Sequence, residues 1–311
     1  MTTLRDDSVV VIMPTHNRAH LVGRAIESVL AQTHTNWQLI VVDDGSSDAT
    51  ADAVAAFTDP RIRFVRNPKA LGASGARNVG VRAAGPSAFL AFLDDDDEWL
   101  PRKLELQLEK FRTSDVELAA VGCGRLDYDE SGMVTTQVPI YRGQVFEDLL
   151  ARRARGYGVQ LILVRRVPGE DDVLFDVDMR CLEDLDYSIR HAMRGPLDFV
   201  AEPLVKVRRD DGGPHLWNAE AAITGYRQLA AKYDKELATR PWIASYYTVC
   251  IARDLARLGR MAECREHLLR ALTGSSSRFR LSLWYAASMI GAVGIKVCVR
   301  LFPILPPELA S

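Results

Sequence analysis

Cysteine is scarce in this 311-residue chain, and what there is lies scattered. Cys123, Cys181, Cys250, Cys264 and Cys298 are odd in number and never form a C-x-x-C pair. That excludes a disulfide framework and a zinc knuckle and suits a reducing compartment. An excess of basic charge is also missing, since 39 Lys and Arg stand against 41 Asp and Glu, a formal charge of −2. General nucleic-acid binding needs a basic field, so no nucleic-acid partner is expected. Long hydrophobic runs are absent. The uncharged stretch Leu281–Ile295 has 15 residues, short of the roughly 20 that span a bilayer. The start, Met1 to Ser8, is polar, carries Asp6 and Asp7, and leads into no signal-peptide core. The expected location is therefore the cytoplasm. The glycine-bearing segment Gly72–Gly80 is neither G-x-G-x-x-G nor a Walker A loop.

What remains is an ordinary globular composition, 48% apolar and 26% charged. A chain of this length forms one large domain or two and buries a core without covalent staples. Its first hundred residues alternate strand and helix signals. Val9–Met13, Trp37–Val42, Ile62–Val65 and Ala88–Leu93 read as strands. A helical pattern at Leu21–Leu30, a helix running to about Phe57 and another at Gly75–Ala84 separate them. Such βαβ spacing predicts a parallel sheet. Further on, the pattern predicts a helix from Pro101 to about Phe111 and a hairpin of Ala119–Tyr128 with Val134–Ile140. Strands are expected at Val159–Val164 and Leu204–Arg208, and a helix at Leu182–Met193. After Asp210-Asp211-Gly212-Gly213-Pro214 the sequence turns all-helical, so a division is placed between 1–212 and 213–311.

Polar clusters follow directly on the ends of three strands: Thr15–Arg18, Asp43–Asp44 and Asp94–Asp97. In open α/β sheets ligands bind at that edge. The acidic run Asp94-Asp95-Asp96-Asp97-Glu98, closed by Trp99, reads either as a solvated turn at a helix start or as a site for a hard divalent cation. Alternation aims Asp94 and Asp96 to one side. Asp43 and Asp44 precede Gly45 and a set of good helix caps, Ser46, Ser47 and Asp48. Capping accounts for the caps but not for the paired acids. Pro14 to Arg18 is either a plain strand-to-helix loop or a nucleotide contact. Arg77 is either a surface ion-pair partner or a partner of a phosphate or an active-site acid. Glu183 and Asp184 open an amphipathic helix, where acids ordinarily complement the helix dipole.

Taken in order, these segments resemble family 2 glycosyltransferases of the GT-A fold, over roughly residues 8–210. The resemblance rests on Val10–Asn17, Ser28–Thr33, Val42–Asp48, Gly72–Gly80 with Arg77-Asn78, Phe92–Trp99 and Glu183-Asp184. It implies an α/β, Rossmann-like nucleotide-diphospho-sugar transferase domain with a C-terminal helical extension. It also implies a nucleotide-diphospho-sugar donor, a Mg²⁺ or Mn²⁺ ion, and inversion at the anomeric carbon. The acceptor would be a glycan, a lipid-linked molecule or a small molecule, in a setting such as cell-envelope polysaccharide biosynthesis. On this likeness Pro14, Thr15, Asn17 and Asp44 are nucleotide contacts, Asp44 to the base, and Arg77 partners the donor site. Asp94 and Asp95 belong to the donor-binding acids, with Asp94 nearer the ribose. Asp96 is the metal ligand, Asp184 the general base, and Arg208 a phosphate or acceptor contact. The pattern departs from the family at Asp95, where a small or uncharged residue is usual, so the metal register within Asp94–Asp97 is open by one residue.

Tyr246–Leu272 reads as two helices joined at Leu258-Gly259-Arg260. The stretch 281–305, with Trp284, Tyr285, Lys296 and Arg300, is either a buried helix or an interfacial one in peripheral membrane contact on the inner face of the cell membrane. Two other readings compete with the transferase: a nucleotidyltransferase, and an inactive scaffold that binds nucleotide sugars.

Overall fold

Buried, β-branched runs followed by amphipathic stretches set up the first half of the chain. The computed structural model describes residues 6–128, 134–179, 181–208, 218–274 and 285–289. The elements run β1 (Val9–Thr15), α1 (Val22–Leu30), β2 (Trp37–Asp43), α2 (Thr50–Ala55), β3 (Ile62–Arg66), α3 (Gly72–Ala83), β4 (Phe89–Phe92), β5 (Glu98–Trp99) and α4 (Lys103–Thr113). There follow β6 (Ala120–Tyr128), β7 (Val134–Gln137), α5 (Phe146–Leu150), β8 (Leu163–Arg165), α6 (Glu183–Arg194) and β9 (Leu197–Arg208). The last described elements are α7 (Ala219–Lys232), α8 (Asp234–Ala238), α9 (Pro241–Arg257) and α10 (Met261–Gly274). The chain forms two compact units: Met1–Val177 with Asp184–Gly213, and Asp178–Glu183 with Pro214–Ser311.

In the first unit a single sheet runs in the order β3-β2-β1-β4-β8-β6-β9-β5, with β7 paired to β6. The four strands β3, β2, β1 and β4 are parallel, as the spacing predicts. From β8 onward the sheet is mixed rather than parallel: β8 is antiparallel to both β4 and β6, β9 parallel to β6, and β5 antiparallel to β9. The β6–β7 hairpin forms as expected. The strand expected at Val159–Val164 is shorter and later, because Leu161 N–H turns back to Gly158 O at 2.8 Å. The two-residue strand β5 carries too little periodicity to be visible in sequence.

The core lies on both sides of β1, which is buried except at half-buried Pro14, as parallel strands are. On one face Val22, Ala25, Ile26 and Val29 of α1 pack with Leu104, Leu108 and Phe111 of α4 against Val9, Val11, Met13 and Leu39. The i, i+3, i+4, i+7 spacing in α1 is what makes that stripe continuous. On the other face α3 comes so close to β1 that a Cβ on Gly80 would lie 2.4 Å from Ile12 Cγ2. A fully buried lysine sits inside this unit. Lys103 Nζ, fully buried, donates to Gln107 Oε1 at 2.8 Å and lies 4.1 Å above the Trp99 ring. Burial lowers its pKa to about 8. Gln107 in turn donates to Val121 O at 2.7 Å and Leu161 O at 2.8 Å, tying α4 to β6 and to the chain entering β8.

The second unit is helical in its described residues after 217. Asn218 Oδ1 caps α7 by accepting from Ala221 N–H at 2.9 Å, and Pro241 opens α9. Helices α9 and α10 form the expected pair about Leu258–Arg260, where Gly259 takes a φ of 75° that suits glycine. Buried Asp254 is held by Arg253 at 2.8 Å and by Arg257 at 3.0 Å. No described helix is long and apolar enough to cross a membrane. Apart from residues 285–289, the stretch 281–305 lies outside the described residues.

Gly80→Ala is expected to destabilise the protein by about 1–3 kcal/mol through overpacking against the immobile Ile12. In a helix interior Ala ordinarily stabilises relative to Gly. A rise in the denaturation midpoint would therefore show that the α3–β1 approach is looser than drawn.

Candidate active site

Parallel pairing brings the ends of β1, β2 and β4 to one edge. Thr15 stands opposite Asp43, and Phe92 opposite Ile12, so the chain leaves β4 into the acidic run beside Thr15. The Asp44 N–H continues the ladder to Thr15 O at 2.8 Å. Pro14 is half-buried within β1, directly before Thr15.

The loop after β1 is braced by the loop after β2. Asn17 adopts a left-handed backbone, φ 54°, that a non-glycine residue rarely takes. Its Oδ1 accepts from Ser47 N–H at 2.7 Å, and its own N–H donates to Ser46 Oγ at 2.9 Å. Arg18 N–H donates to Thr50 Oγ1 at 3.0 Å. Asp43 accepts from Ser46 N–H at 2.8 Å and pairs with Arg66 Nε at 3.3 Å. Asp44 is buried, and its carboxylate accepts from Asn67 Nδ2 at 2.7 Å, Leu71 N–H at 2.9 Å and Gly72 N–H at 2.8 Å. That gives Asp44 a task not legible in sequence: it pins the connection from β3 into α3.

The acidic run alternates in exposure. Asp94, Asp96 and Glu98 are half-buried, while Asp95 and Asp97 are buried. Asp94 Oδ1 receives Arg77 Nη2 at 2.6 Å, and Arg77 itself is 5% exposed. The guanidinium lies 5.4 Å from the Phe175 ring. Phe175 is held by its neighbour on α3: Asn78 Nδ2 donates to Phe175 O at 2.8 Å and Asn78 Oδ1 accepts from Phe175 N–H at 2.7 Å. Burial pushes the Asp95 carboxyl up to about 7, aided by the charges of Asp96 and Asp94 and opposed by Thr15 and Arg18. Burial also raises Asp97, with Asp94 and Asp96 adding to it, while Arg208 N–H at 3.2 Å and Arg125 oppose it. Arg77 thus meets Asp94, Thr15 and Arg18 act on Asp95, and Arg125 and the Arg208 N–H act on Asp97.

The donor set is all oxygen and carries an excess of negative charge, which suits a hard divalent cation. Among the described residues no three Asp, Glu, His or Cys side chains form a ready-made cage. Such an ion would be held through one or two carboxylates, Asp96 foremost, and would take its other ligands from substrate phosphates and water, the usual arrangement for Mg²⁺.

Asp184 stands on the first turn of α6, two residues after Leu182, whose φ of 65° is also left-handed. Its Oδ1 accepts from Leu185 N–H at 2.7 Å. Its Oδ2 has no hydrogen-bond partner among the described residues and lies 3.8 Å from where a Cβ on Gly158 would be. One turn later on α6, Tyr187 packs edge-on against Phe92 with ring centroids 5.4 Å apart, and it stacks on Phe175 at 4.2 Å. This cluster joins the helix bearing Asp184 to the strand that launches the acidic run. Sequence reading missed Arg125, Gln160 and the bracing part of Asn78. Gln160 falls in what reads as a continuous strand, so nothing marked it as part of the turn that Leu161 N–H closes on Gly158 O.

Sheet order and acidic edge together define an α/β domain of the GT-A type. The profile of the family described as "Glycosyl transferase family 2" matches residues 10–162. WcaA of Escherichia coli K12, a glycosyl transferase assigned to colanic acid biosynthesis, is 32% identical over 231 residues, covering 72% of this chain and 81% of that protein. The chain belongs to glycosyltransferase family 2. Escherichia coli WfgD, named as a UDP-Glc:alpha-D-GlcNAc-diphosphoundecaprenol beta-1,3-glucosyltransferase, is 48% identical over 104 residues, 33% of this chain. That match spans only 41% of WfgD's own length. The solved structure of Staphylococcus aureus TarS 1-349 in complex with UDP-GlcNAc superposes with a TM-score of 0.63 at 15% identity, covering 94% of this chain and 92% of that one.

The raised Asp95 carboxyl has a thermodynamic consequence. Between about pH 4 and about pH 7 the folded state holds a proton there that the unfolded chain releases, so this group's ionisation lowers stability as pH rises through that window. In EDTA, Asp95→Asn is expected to gain stability relative to the parent over that range, read by urea denaturation at each pH. A difference independent of pH would mean that Asp95 ionises normally in the fold.

Proposed function

We propose that the chain transfers a sugar from a nucleotide-diphospho-sugar to an acceptor hydroxyl with inversion at the anomeric carbon, using Mg²⁺ or Mn²⁺ held at Asp96. The observation that carries this reading is the free Oδ2 of Asp184, on a helix locked through Tyr187 and Phe92 to the root of the acidic run. Asp96 would hold the divalent cation, whose chemistry would be to neutralise charge on the departing nucleoside diphosphate. Every other part is performed by side chains. Pro14, Thr15 and Asn17 line the nucleoside end. Asp44 serves the same end by holding the Asn67–Gly72 loop. Arg77 fixes Asp94 toward the donor, and buried Asp95 backs Thr15 and Arg18. Asp184, its Oδ1 fixed by Leu185 N–H, takes the acceptor's proton at Oδ2 as the oxygen attacks from the face opposite the leaving group. Positioning and charge stabilisation supply much of the acceleration.

Family membership removes the nucleotidyltransferase reading, and the inactive scaffold becomes an outcome of the test. WfgD and WcaA, by their names, support a cell-envelope polysaccharide setting with a glycan or lipid-linked acceptor, and the TarS complex supports a uridine donor.

A thermal-shift panel of nucleotide sugars with and without Mn²⁺ tests donor binding, since a ligand that binds the folded state raises apparent stability. One nucleotide sugar is expected to raise the midpoint, more so with metal. Asp96→Ala is expected to remove the metal-dependent part, and an unchanged metal response takes Asp96 out of that role. Asp184→Asn is expected to keep donor binding and to lower transfer by about 10²–10⁴-fold. Transfer at the parental rate in that variant would overturn the assignment of the base, and donor binding without transfer in the parent chain would leave the scaffold reading.

A further inference from the structure

Between β8 and α6 the chain from 166 to 179 forms no strand and no helix of its own. Its buried backbone groups must therefore find partners elsewhere. Those of Leu174 and Phe175 find them on two helices. From α3, the Asn78 carboxamide donates to Phe175 O at 2.8 Å and accepts from Phe175 N–H at 2.7 Å. It serves both groups of one residue, as a neighbouring strand would. From α6, Arg190 Nη1 donates to Leu174 O at 2.6 Å, and Arg190 Nε is itself fixed on buried Asp186 at 2.9 Å. Two consecutive residues of an irregular segment are thus gripped by α3 from one position and by α6 from the next.

That grip decides where the buried Phe175 ring stands. The ring stacks on Tyr187 with planes 3° apart and centroids at 4.2 Å, and it meets Phe92 edge-on at 5.2 Å. The Arg77 guanidinium lies 5.4 Å from its centroid. Three parts of the site therefore meet on one ring. Phe92 leads into the acidic run. Arg77 holds Asp94 at 2.6 Å. Tyr187 stands three residues after Asp184, a spacing that puts the two on neighbouring positions of the α6 surface. Core packing by itself asks only for an apolar side chain here. A planar ring is what lets one residue keep a stack, an edge contact and a cation contact together. Consecutive residues of α3 divide the work: Arg77 fixes Asp94, and Asn78 fixes the ring against which the helix of Asp184 rests.

We infer that Leu174–Phe175 is a spacer that sets α6 against the donor-side acids, and that Asn78 and Phe175 are positioning residues for Asp184. The inference rests on the transfer reading given above and adds two residues that act on transfer through the base. Neither touches a reacting atom. A general base works only within hydrogen-bond reach of the proton it takes, and a displacement of about 1 Å costs on the order of 10²-fold in rate. With the clamp cut, Asp184 keeps its chemistry and loses its register. Turnover then falls while the donor site, built from the ends of β1, β2 and β4, stays as it is.

The test measures release of UDP from UDP-glucose and from UDP-GlcNAc with Mn²⁺, in water and with p-nitrophenyl N-acetylglucosaminide as acceptor, using whichever pairing is fastest. The variants are Asn78→Ala, Phe175→Leu, Asp184→Asn, and each of the first two combined with Asp184→Asn. In Asn78→Ala and Phe175→Leu, kcat is expected to fall about 10- to 100-fold while the KM for the nucleotide sugar stays within about twofold. Each double variant is expected to turn over within about threefold of Asp184→Asn alone, because residues that act through one group do not add. A merely structural role would multiply the two losses instead. Phe175→Leu keeps an apolar side chain in the core and carries the test alone if Asn78→Ala does not fold. Parental kcat in the single variants overturns the proposal. So does a multiplied loss in the double variants, or a loss of donor affinity that accompanies the loss of kcat. If Asp184→Asn turns over at the parental rate, or if neither nucleotide sugar is consumed by the parent chain, the transfer reading itself fails and the spacer assignment falls with it.

Discussion

Four consecutive aspartates at the end of a buried strand repel one another, and the first unit is arranged around containing that repulsion. Two of them are buried, which raises their proton affinity; the alternate pair is half-buried, with Asp94 tied to Arg77. Arg18 acts on Asp95 from the loop after β1, and Arg125 within β6 and the backbone N–H of Arg208 at the end of β9 act on Asp97. Without Arg77, Arg18, Arg125 and the Arg208 N–H the edge would hold uncompensated charge that weighs heavily on a fold stable by only about 5–15 kcal/mol. With them, the edge is poised for a further cation and for the diphosphate such a cation brings.

The same containment explains why segments far apart in sequence act together. Arg77 reaches Asp94 only because α3 lies almost on β1, an approach that Gly80 permits. Phe175 flanks Arg77 and stacks on Tyr187, and Tyr187 meets Phe92. The aromatic cluster is therefore a mechanical link between the acid that is proposed to take a proton and the acids proposed to face the donor. At the other end of the run, Trp99 holds Gln160 O and lies against Lys103, whose Gln107 partner grips Leu161. Both ends of the acidic run are thus fastened, one to the helix that bears Asp184 and the other to the turn that enters β8.

Much of the first half was legible. The strands β1 to β4 are short buried runs with turn residues after them, and burial on both faces leaves a sequence little choice but β-branched and aliphatic residues. The acidic run, Arg77 and Asp184 stood out because charge at the end of an apolar strand or at a helix start is locally visible. Other parts were invisible for physical reasons. Gln160 sat inside an apolar stretch that reads as a strand, and only the bond from Leu161 to Gly158 shows it to be a turn. Asp44 reads as an open acid, yet donors from Asn67, Leu71 and Gly72 surround it, and partners 23 to 28 residues away leave no periodic trace.

Local chemistry, then, was written in the chain: which stretches are strands, where helices begin, and which side chains carry charge at the strand ends. These follow from propensity, periodicity and capping, all of which act over a few residues. Partnership was settled by folding. That the later part of the sheet is mixed, that Arg77 belongs to Asp94, that Asp44 braces a loop, and that Trp99 holds Gln160 O all depend on contacts between distant segments. Such contacts are selected by close packing of the whole unit, and no short window of sequence contains them.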